Sequence, residues 1–227
     1  MWHNYFYQIQ LKYSMRVSLK NPLVIRLDGK NATKSRTNDF INSYPGTFLY
    51  ALEESAKYFS KRYKCISLFG SDEISFVFPN PSLIINDLDK EHFNHTNEII
   101  ALFSQYFFDY FSSQYKQEKI FWHGKCFSID KSKVCSYLKY RSTIISNVLS
   151  TFFLIKHNAY RGHGCLKNRI KQCKNHSDFN TLSDTLYGIL YSNGNRISLE
   201  DYYNGDEKII SKEIFVEEPV IDLLDFD

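Results

Sequence analysis

Two short acidic motifs contain the residue types of a metal-dependent phosphoryl-transfer site. Asp28-Gly29 closes the apolar run 23–27, which predicts a buried strand, and Asp72 lies in a turn between two β-rich runs, which predicts a hairpin. If these strands are neighbours, two carboxylates from distant parts of the chain meet at one sheet edge. Such a pair needs a cation, and Mg²⁺ is commonly held by carboxylates together with substrate phosphates. Asp28 and Asp72 are therefore the candidate catalytic and metal-binding residues.

Either aspartate alone also fits an ordinary turn, because an Asp side chain hydrogen-bonds its own backbone and is frequent there. Gly29 strengthens the metal interpretation, since a residue without a side chain lets its carbonyl approach a metal and its backbone approach a triphosphate.

The elements that must position these residues follow in the order β-α-β-β-α-β. Apolar residues at three- and four-residue steps predict amphipathic helices over 47–63 and from Ile99 to Tyr110, and β-like runs occupy 65–69, 74–78 and 119–129. This order predicts an α+β, ferredoxin-like (split βαβ) antiparallel sheet with both helices on one face. A long helix over 133–157 and a small C-terminal α/β extension follow. We expect a palm-like catalytic domain at 1–130, with residues 131–227 packed on it.

The acidic motifs also carry a family resemblance. Residues 24–31 are VIRLDGKN and residues 70–76 are GSDEISF. These motifs resemble the tRNA-His guanylyltransferase family and its 3′-to-5′ RNA polymerase relatives, in which a strand ends in R-[IL]-D-G-[RK]-N and a hairpin contains S-D-E-[IVY]-S-F. A weaker third match is YLKYR at 137–141 with Asn147 downstream. The resemblance covers about residues 20–160.

The resemblance implies a polymerase-palm-like domain that uses two Mg²⁺ ions with GTP and ATP as substrates. Carried over by position, the metal ligands are Asp28, Asp72 and the carbonyl of Gly29. The implied nucleotide-binding residues are Asp28, Gly29, Lys30, Asn31, Ala32, Thr33, Ser71 and Asp72, with Arg26, Glu73 and Asn147 as weaker candidates. In the family, ATP or GTP activates a tRNA 5′ end, and the 3′-hydroxyl of an incoming GTP then attacks it. A homotetramer is also implied.

Three functions stay open at this point. The first is a nucleotidyltransferase that acts on RNA 5′ ends. Both single addition to tRNA-His and templated repair are open for it, because the loop after Asp28 departs from the family pattern at Ala32 and Thr33. The run 69–74 also resembles the Gly-Gly-Asp-Glu-Phe turn of diguanylate cyclases, which share the palm fold. A non-catalytic RNA-binding relative is the third.

The charge distribution favours a phosphate-rich partner. The formal net charge of +3 divides into +11 over residues 1–197 and −8 over 198–227. Thirteen Lys and Arg residues fall within 110–176, against Glu118 and Asp130 alone. Such a basic segment predicts contact with RNA, although a solvated lysine-rich surface has the same composition.

The five cysteines are odd in number and form no Cys-x-x-Cys pair, which favours a reducing, cytoplasmic location. The N-terminus lacks the pattern of a signal peptide, and the longest apolar stretch is too short for a membrane span. One further pattern contains possible metal ligands, His163, Cys165, Cys173 and His176, at a spacing that matches no common zinc finger.

Overall fold

The fold is built on one antiparallel sheet of six strands, seen in a computed structural model that describes residues 17–29, 45–88, 95–116, 119–162 and 165–198. The strands are β1 (Leu23–Gly29), β2 (Ile66–Gly70), β3 (Glu73–Phe78), β4 (Trp122–Ser128), β5 (Ile189–Ser192) and β6 (Asn195–Ile197). The helices are α1 (Phe48–Tyr63), α2 (Pro81–Leu88), α3 (Thr96–Gln114), α4 (Val134–Lys156), α5 (Leu166–Lys174) and α6 (Asn180–Ser183).

The strand order β4-β1-β3-β2-β5-β6 contains the split βαβ arrangement in its first four positions, so the predicted ferredoxin-like α+β class is confirmed. Strands β5 and β6 extend the sheet beyond β2 and come from the part of the chain after residue 130. They are joined at Asn193 and Gly194, which both have positive φ (51° and 84°), as a two-residue hairpin turn between right-twisted strands requires.

Helices α1 and α3 cover one face of the sheet through an aromatic core. Phe59 of α1 lies 5.3 Å from Phe103 of α3 and 5.7 Å from Phe76 of β3, measured between ring centroids, and all three side chains are fully buried. Their mutual angles are edge-to-face, the arrangement that aromatic quadrupoles favour. Both predicted helices therefore lie on the same face of the sheet.

The long helix α4 packs on the opposite face, over β2 and β3. Its Tyr137 hydroxyl is hydrogen-bonded to Ser75 of β3 at 3.0 Å, and its Ile145 lies against Gly70 at the end of β2. The neighbouring part of this face, on β1 and β4, is more open, since His123 and Lys125 of β4 are exposed. The polar end of β1 thus faces an uncovered part of the sheet.

Three helices of the described ranges, α2, α5 and the four-residue α6, are absent from the sequence expectations. Helix α5 has its three apolar residues, Leu166, Ile170 and Cys173, on one face, but it is only nine residues long and otherwise polar, so the sequence pattern did not distinguish it from a loop. Strand β1 also runs further than expected: it continues through Asp28, which pairs with both β3 and β4, and through Gly29, which pairs with β4. None of the helices in the described ranges combines the length and the apolar character needed to cross a lipid bilayer.

The contact between Gly70 and Ile145 gives a first prediction about stability. A Cβ atom at Gly70 would lie 2.4 Å from Ile145 Cγ2, so Gly70→Ala forces the hairpin away from α4. We expect a loss of about 1–3 kcal/mol in the free energy of unfolding, measured by urea denaturation. In an Ile145→Ala background the same change should cost far less. An equal cost in both backgrounds would contradict this account.

Candidate active site

The end of β1 and the β2–β3 hairpin meet at one end of the sheet. Asp28 pairs directly with Glu73, and the backbone N–H of Gly29 donates a hydrogen bond to the carbonyl of Asp72 at 2.7 Å. The structure therefore brings Asp28 and Asp72 together, as the topology predicted. Asp28 is one residue before the end of β1 rather than in a loop beyond it.

The electrostatic environment of Asp28 is that of a like-charged carboxylate pair. Partial burial raises the pKa of Asp28 above the ordinary carboxyl value, and the negative charge of Asp72 raises it further. The nearby side chains of Arg26, Arg141 and His123 act in the opposite direction. The Asp28 side chain keeps 38% of its surface exposed, so a cation from solvent can reach it. A divalent cation between the carboxylates would relieve their repulsion.

Glu73 is held by two arginines. Its carboxylate accepts hydrogen bonds from both Nε and Nη2 of Arg141, at 3.0 Å for Nε, and Arg26 Nη1 lies 3.8 Å away. Glu73 and Arg141 are buried, with 7% and 4% of their surface exposed. Burial raises the pKa of Glu73, while the two guanidinium groups oppose this by stabilising the carboxylate. A carboxylate engaged in this way is a structural group, and we assign it no metal.

Arg26 joins this network to Asp28. Its Nη2 donates to Asp28 Oδ2 at 3.3 Å, while its Nη1 faces Glu73. Residues 26 and 28 lie on one face of β1, and Glu73 lies on the same face because directly opposed residues of antiparallel strands share a face. Four charged side chains of alternating sign therefore lie along this face; from α4 to the open side they are Arg141, Glu73, Arg26 and Asp28.

Ser71 occupies the first position of the hairpin turn with φ of 56°, in the left-handed region that non-glycine residues rarely adopt. Its side chain is buried, and its Oγ has no hydrogen-bond partner among the described residues. A buried hydroxyl without a partner is costly, and it is suited to an incoming acceptor such as a phosphate oxygen.

The other expected site residues have different positions. Lys30, Asn31, Ala32 and Thr33 lie outside the described residues. Asn147 is exposed on α4, and its amide oxygen accepts a hydrogen bond from Arg169 of α5. No contact in the described part of the structure links Asn147 to Asp28 or Asp72, and its nucleotide-binding role stays a prediction.

The structure also shows contacts that the sequence analysis did not predict. Arg141 and Tyr137 of α4 reach β3, and His123 of β4 pairs in register with Asp28 while Lys125 pairs with Arg26. Since paired residues share a face, the exposed Lys125 adds positive charge beside the aspartates, and the exposed imidazole of His123 lies next to Asp28. Alternation along β4 was the available signal, but only the strand order shows that β4 lies next to β1.

Comparison with known proteins identifies this architecture. Neither a scan against protein-family models nor a search of curated proteins gave a match. Among solved structures, a bacterial tRNA(His) guanylyltransferase-like protein in complex with GTP is 14% identical, with a TM-score of 0.64 over 92% of this chain and 98% of that chain. A bacterial tRNA(His) guanylyltransferase-like protein in complex with ATP gives the same identity and TM-score over 95% of this chain and 100% of that chain.

The tRNA(His) guanylyltransferase from Saccharomyces cerevisiae is 16% identical, with a TM-score of 0.52 over 85% of this chain and 94% of that chain. This chain has the tRNA(His) guanylyltransferase fold. The resemblance inferred from the motifs at Asp28 and Asp72 is thereby confirmed at the level of the fold, which extends over nearly all of the chain.

The Glu73–Arg141 pair of this guanylyltransferase-like fold gives a second prediction. Arg141→Met leaves a buried carboxylate with only the more distant Arg26, and we expect a loss of about 3 kcal/mol in the free energy of unfolding. The double variant Arg141→Met/Glu73→Gln removes the uncompensated charge and should recover most of that loss. Chemical denaturation of the single and double variants measures this coupling. Additive losses would contradict the pairing.

The repulsion between Asp28 and Asp72 gives a third prediction. Because the pKa of Asp28 is raised in the folded state, ionising Asp28 costs stability as the pH rises through its pKa. Asp72→Asn should stabilise the metal-free protein at pH 7, by at most about 0.5 kcal/mol since Asp28 is partly solvated. The gain should vanish in acid, where Asp28 is protonated. Urea denaturation of wild type and variant at pH 7 and in acid measures the gain in stability, with the surface change Asp109→Asn as control. A loss of stability in Asp72→Asn at pH 7 would contradict the repulsion.

Proposed function

We propose that this protein is a Mg²⁺-dependent nucleotidyltransferase that adds nucleotides to the 5′ end of tRNA or a tRNA-like RNA in the 3′-to-5′ direction. The observation that carries the proposal is the convergence of Asp28 and Asp72 at the end of β1, where their charges repel and one of them is solvent-accessible. The similar folds in complex with GTP and ATP support nucleoside triphosphates as substrates.

The residues at this site fit Mg²⁺. Asp28 and Asp72 supply two carboxylates of like charge, and Ser71 supplies a hydroxyl that has no hydrogen-bond partner among the described residues. Mg²⁺ and a triphosphate both suit such an oxygen-rich set of groups. Asp28, Asp72 and the carbonyl of Gly29 would hold the metal. When bound, Mg²⁺ supplies positive charge that stabilises the attacking and leaving oxygens during phosphoryl transfer.

The chain itself contributes mainly position and electrostatics. The β1–β3 pairing fixes the two aspartates, and Arg26 holds the carboxylate of Asp28 through the hydrogen bond to Oδ2. Ser71 donates its hydroxyl to the triphosphate, and Lys30, Asn31, Ala32 and Thr33 line the nucleotide in this proposal. The exposed side chain of Lys125 adds positive charge where phosphates would accumulate.

The RNA partner is proposed from the basic surface of the second half of the chain. Helix α5 and the segment before it expose Arg161, Lys167, Lys171 and Lys174. Clustered cations of this kind bind the phosphate backbone without reading sequence. A diguanylate cyclase has no need of such a surface, which favours the RNA substrate. We also propose a cytoplasmic location, consistent with five cysteines that are all free thiols.

Incubation with labelled GTP, ATP and Mg²⁺, with and without 5′-monophosphorylated tRNA, tests the proposal. We expect label at the RNA 5′ end, and we expect Asp28→Ala and Asp72→Ala to abolish it because each removes a metal ligand. Asp109→Ala, an exposed change on α3 at the other face of the sheet, is the matched control and should keep activity. Circular dichroism checks that all three variants are folded.

Other products would redirect the assignment. A cyclic dinucleotide made without RNA would identify a cyclase, and RNA binding without any product would identify a non-catalytic relative. Full activity in Asp28→Ala or Asp72→Ala would refute the assignment of the site while leaving the reaction type open.

A further inference from the structure

A second group of metal-ligating side chains lies at the far end of α4. His157 directly follows the helix, and His176 and Asp178 lie in the turn after α5. Asp178 Oδ2 is 3.4 Å from His157 Nδ1 and 4.0 Å from His176 Nδ1, and one ligand atom from each of the three residues lies within 4.8 Å of the others. Two imidazoles and a carboxylate thus converge on one point.

These distances are close to those of a coordinated ion. Ligand atoms at about 2.0–2.1 Å from a tetrahedral Zn²⁺ ion lie roughly 3.3 Å from one another. The distance from His157 Nδ1 to Asp178 Oδ2 already matches this value, and the distance from His176 Nδ1 to Asp178 Oδ2 would have to shorten by about 0.7 Å. The backbone N–H of Asp178 donates to His176 Nδ1 at 3.2 Å, so coordination through Nδ1 would replace that hydrogen bond.

Both imidazole rings are already held in place. Phe153 of α4 packs against His157 and His176, with centroid distances of 4.5 Å and 5.4 Å, and the two imidazole rings are 4.3 Å apart. Their side chains are largely buried, with 18% and 26% of the surface exposed. A ligand set with restricted rotamers loses little entropy on binding an ion.

The cluster is the last of a series of contacts that join α5 to α4. Arg169 donates to the amide oxygen of Asn147, and the thiol of Cys173 donates to the carbonyl of Ser150. The His157 and His176 pair follows at the end of both helices. An ion at this point would fasten α5, with its exposed lysines, to the long helix.

We propose that His157, His176 and Asp178 bind a divalent transition metal, of the class represented by Zn²⁺, which anchors α5 to α4. Imidazole nitrogen is a ligand for Zn²⁺, Ni²⁺ and Cu²⁺, whereas Mg²⁺ selects oxygen. The site is therefore chemically distinct from the carboxylates at Asp28 and Asp72. It is also remote from them, since His157 lies about 24 Å along the helix axis from Arg141. The proposal does not depend on the proposed function.

This group differs from the possible ligands noted in the sequence, His163, Cys165, Cys173 and His176, and shares only His176 with them. Of that set, Cys173 is buried with its thiol on Ser150, Cys165 is exposed before α5, and His163 lies outside the described residues. His176 instead faces His157 and Asp178. The proposed site therefore contains no thiolate, and this difference can be measured.

The test is calorimetric titration of the full chain, freed of transition metals, with Zn²⁺ in buffer with excess Mg²⁺, which competes for carboxylate oxygens but not for imidazole nitrogens. We expect one Zn²⁺ ion per chain and a melting temperature that rises with Zn²⁺ concentration. His157→Ala and His176→Ala should each weaken binding at least about 10- to 100-fold, the loss that removal of even an outer-shell partner causes. Asp178→Asn, which keeps the side-chain shape, should also weaken it.

His95→Ala is the matched control, because His95 precedes α3 on the other face of the sheet and should leave Zn²⁺ binding unchanged. Co²⁺ substitution gives an independent readout: nitrogen and oxygen ligands produce no thiolate-to-metal charge-transfer band, whereas coordination by Cys165 would. Equal Zn²⁺ affinity in the wild type and in a His157→Ala/His176→Ala double variant would overturn the proposal, as would a thiolate band that both variants retain.

Discussion

The antiparallel pairing of β1 with β3 determines where the charges of this molecule meet. Through it, Asp28 comes to lie opposite Glu73, and the Gly29 N–H reaches the carbonyl of Asp72. Two carboxylates that are remote in sequence then share one end of the sheet, where partial burial and, next, the charge of Asp72 raise the pKa of Asp28. This arrangement costs stability in the metal-free protein, which is typical of sites whose purpose is to bind a cation.

The remaining structure compensates for that concentration of negative charge. Arg141 reaches from α4 to a buried Glu73, and Arg26 lies between Glu73 and Asp28. Because α4 is fixed to the hairpin by this ion pair and by the close fit of Ile145 against Gly70, the turn that presents Ser71 and Asp72 has a defined position. The buried aromatic core between the sheet and helices α1 and α3 stabilises the strands that carry these charged side chains.

The sequence predicted the parts of the fold that have strong local signals. Strand β1, the hairpin and helices α1, α3 and α4 follow from apolar periodicity and turn residues, and the motifs located Asp28 and Asp72. The ion pair of Arg141 with Glu73 could not be predicted, since nothing local distinguishes a buried arginine from an exposed one on a helix. The grouping of His157 with His176 and Asp178 depends on how α5 folds back along α4, and α5 itself has too few apolar residues to be recognised.

The central claim is that Asp28 and Asp72 bind the metal and the triphosphate on the open part of the sheet. A crystal structure of the protein with GTP and Mn²⁺, with the metal located by its anomalous scattering, tests this most directly. The account predicts Mn²⁺ coordinated by the carboxylates of Asp28 and Asp72, with the triphosphate beside Ser71. A triphosphate bound elsewhere, or metal that contacts neither aspartate, would contradict it.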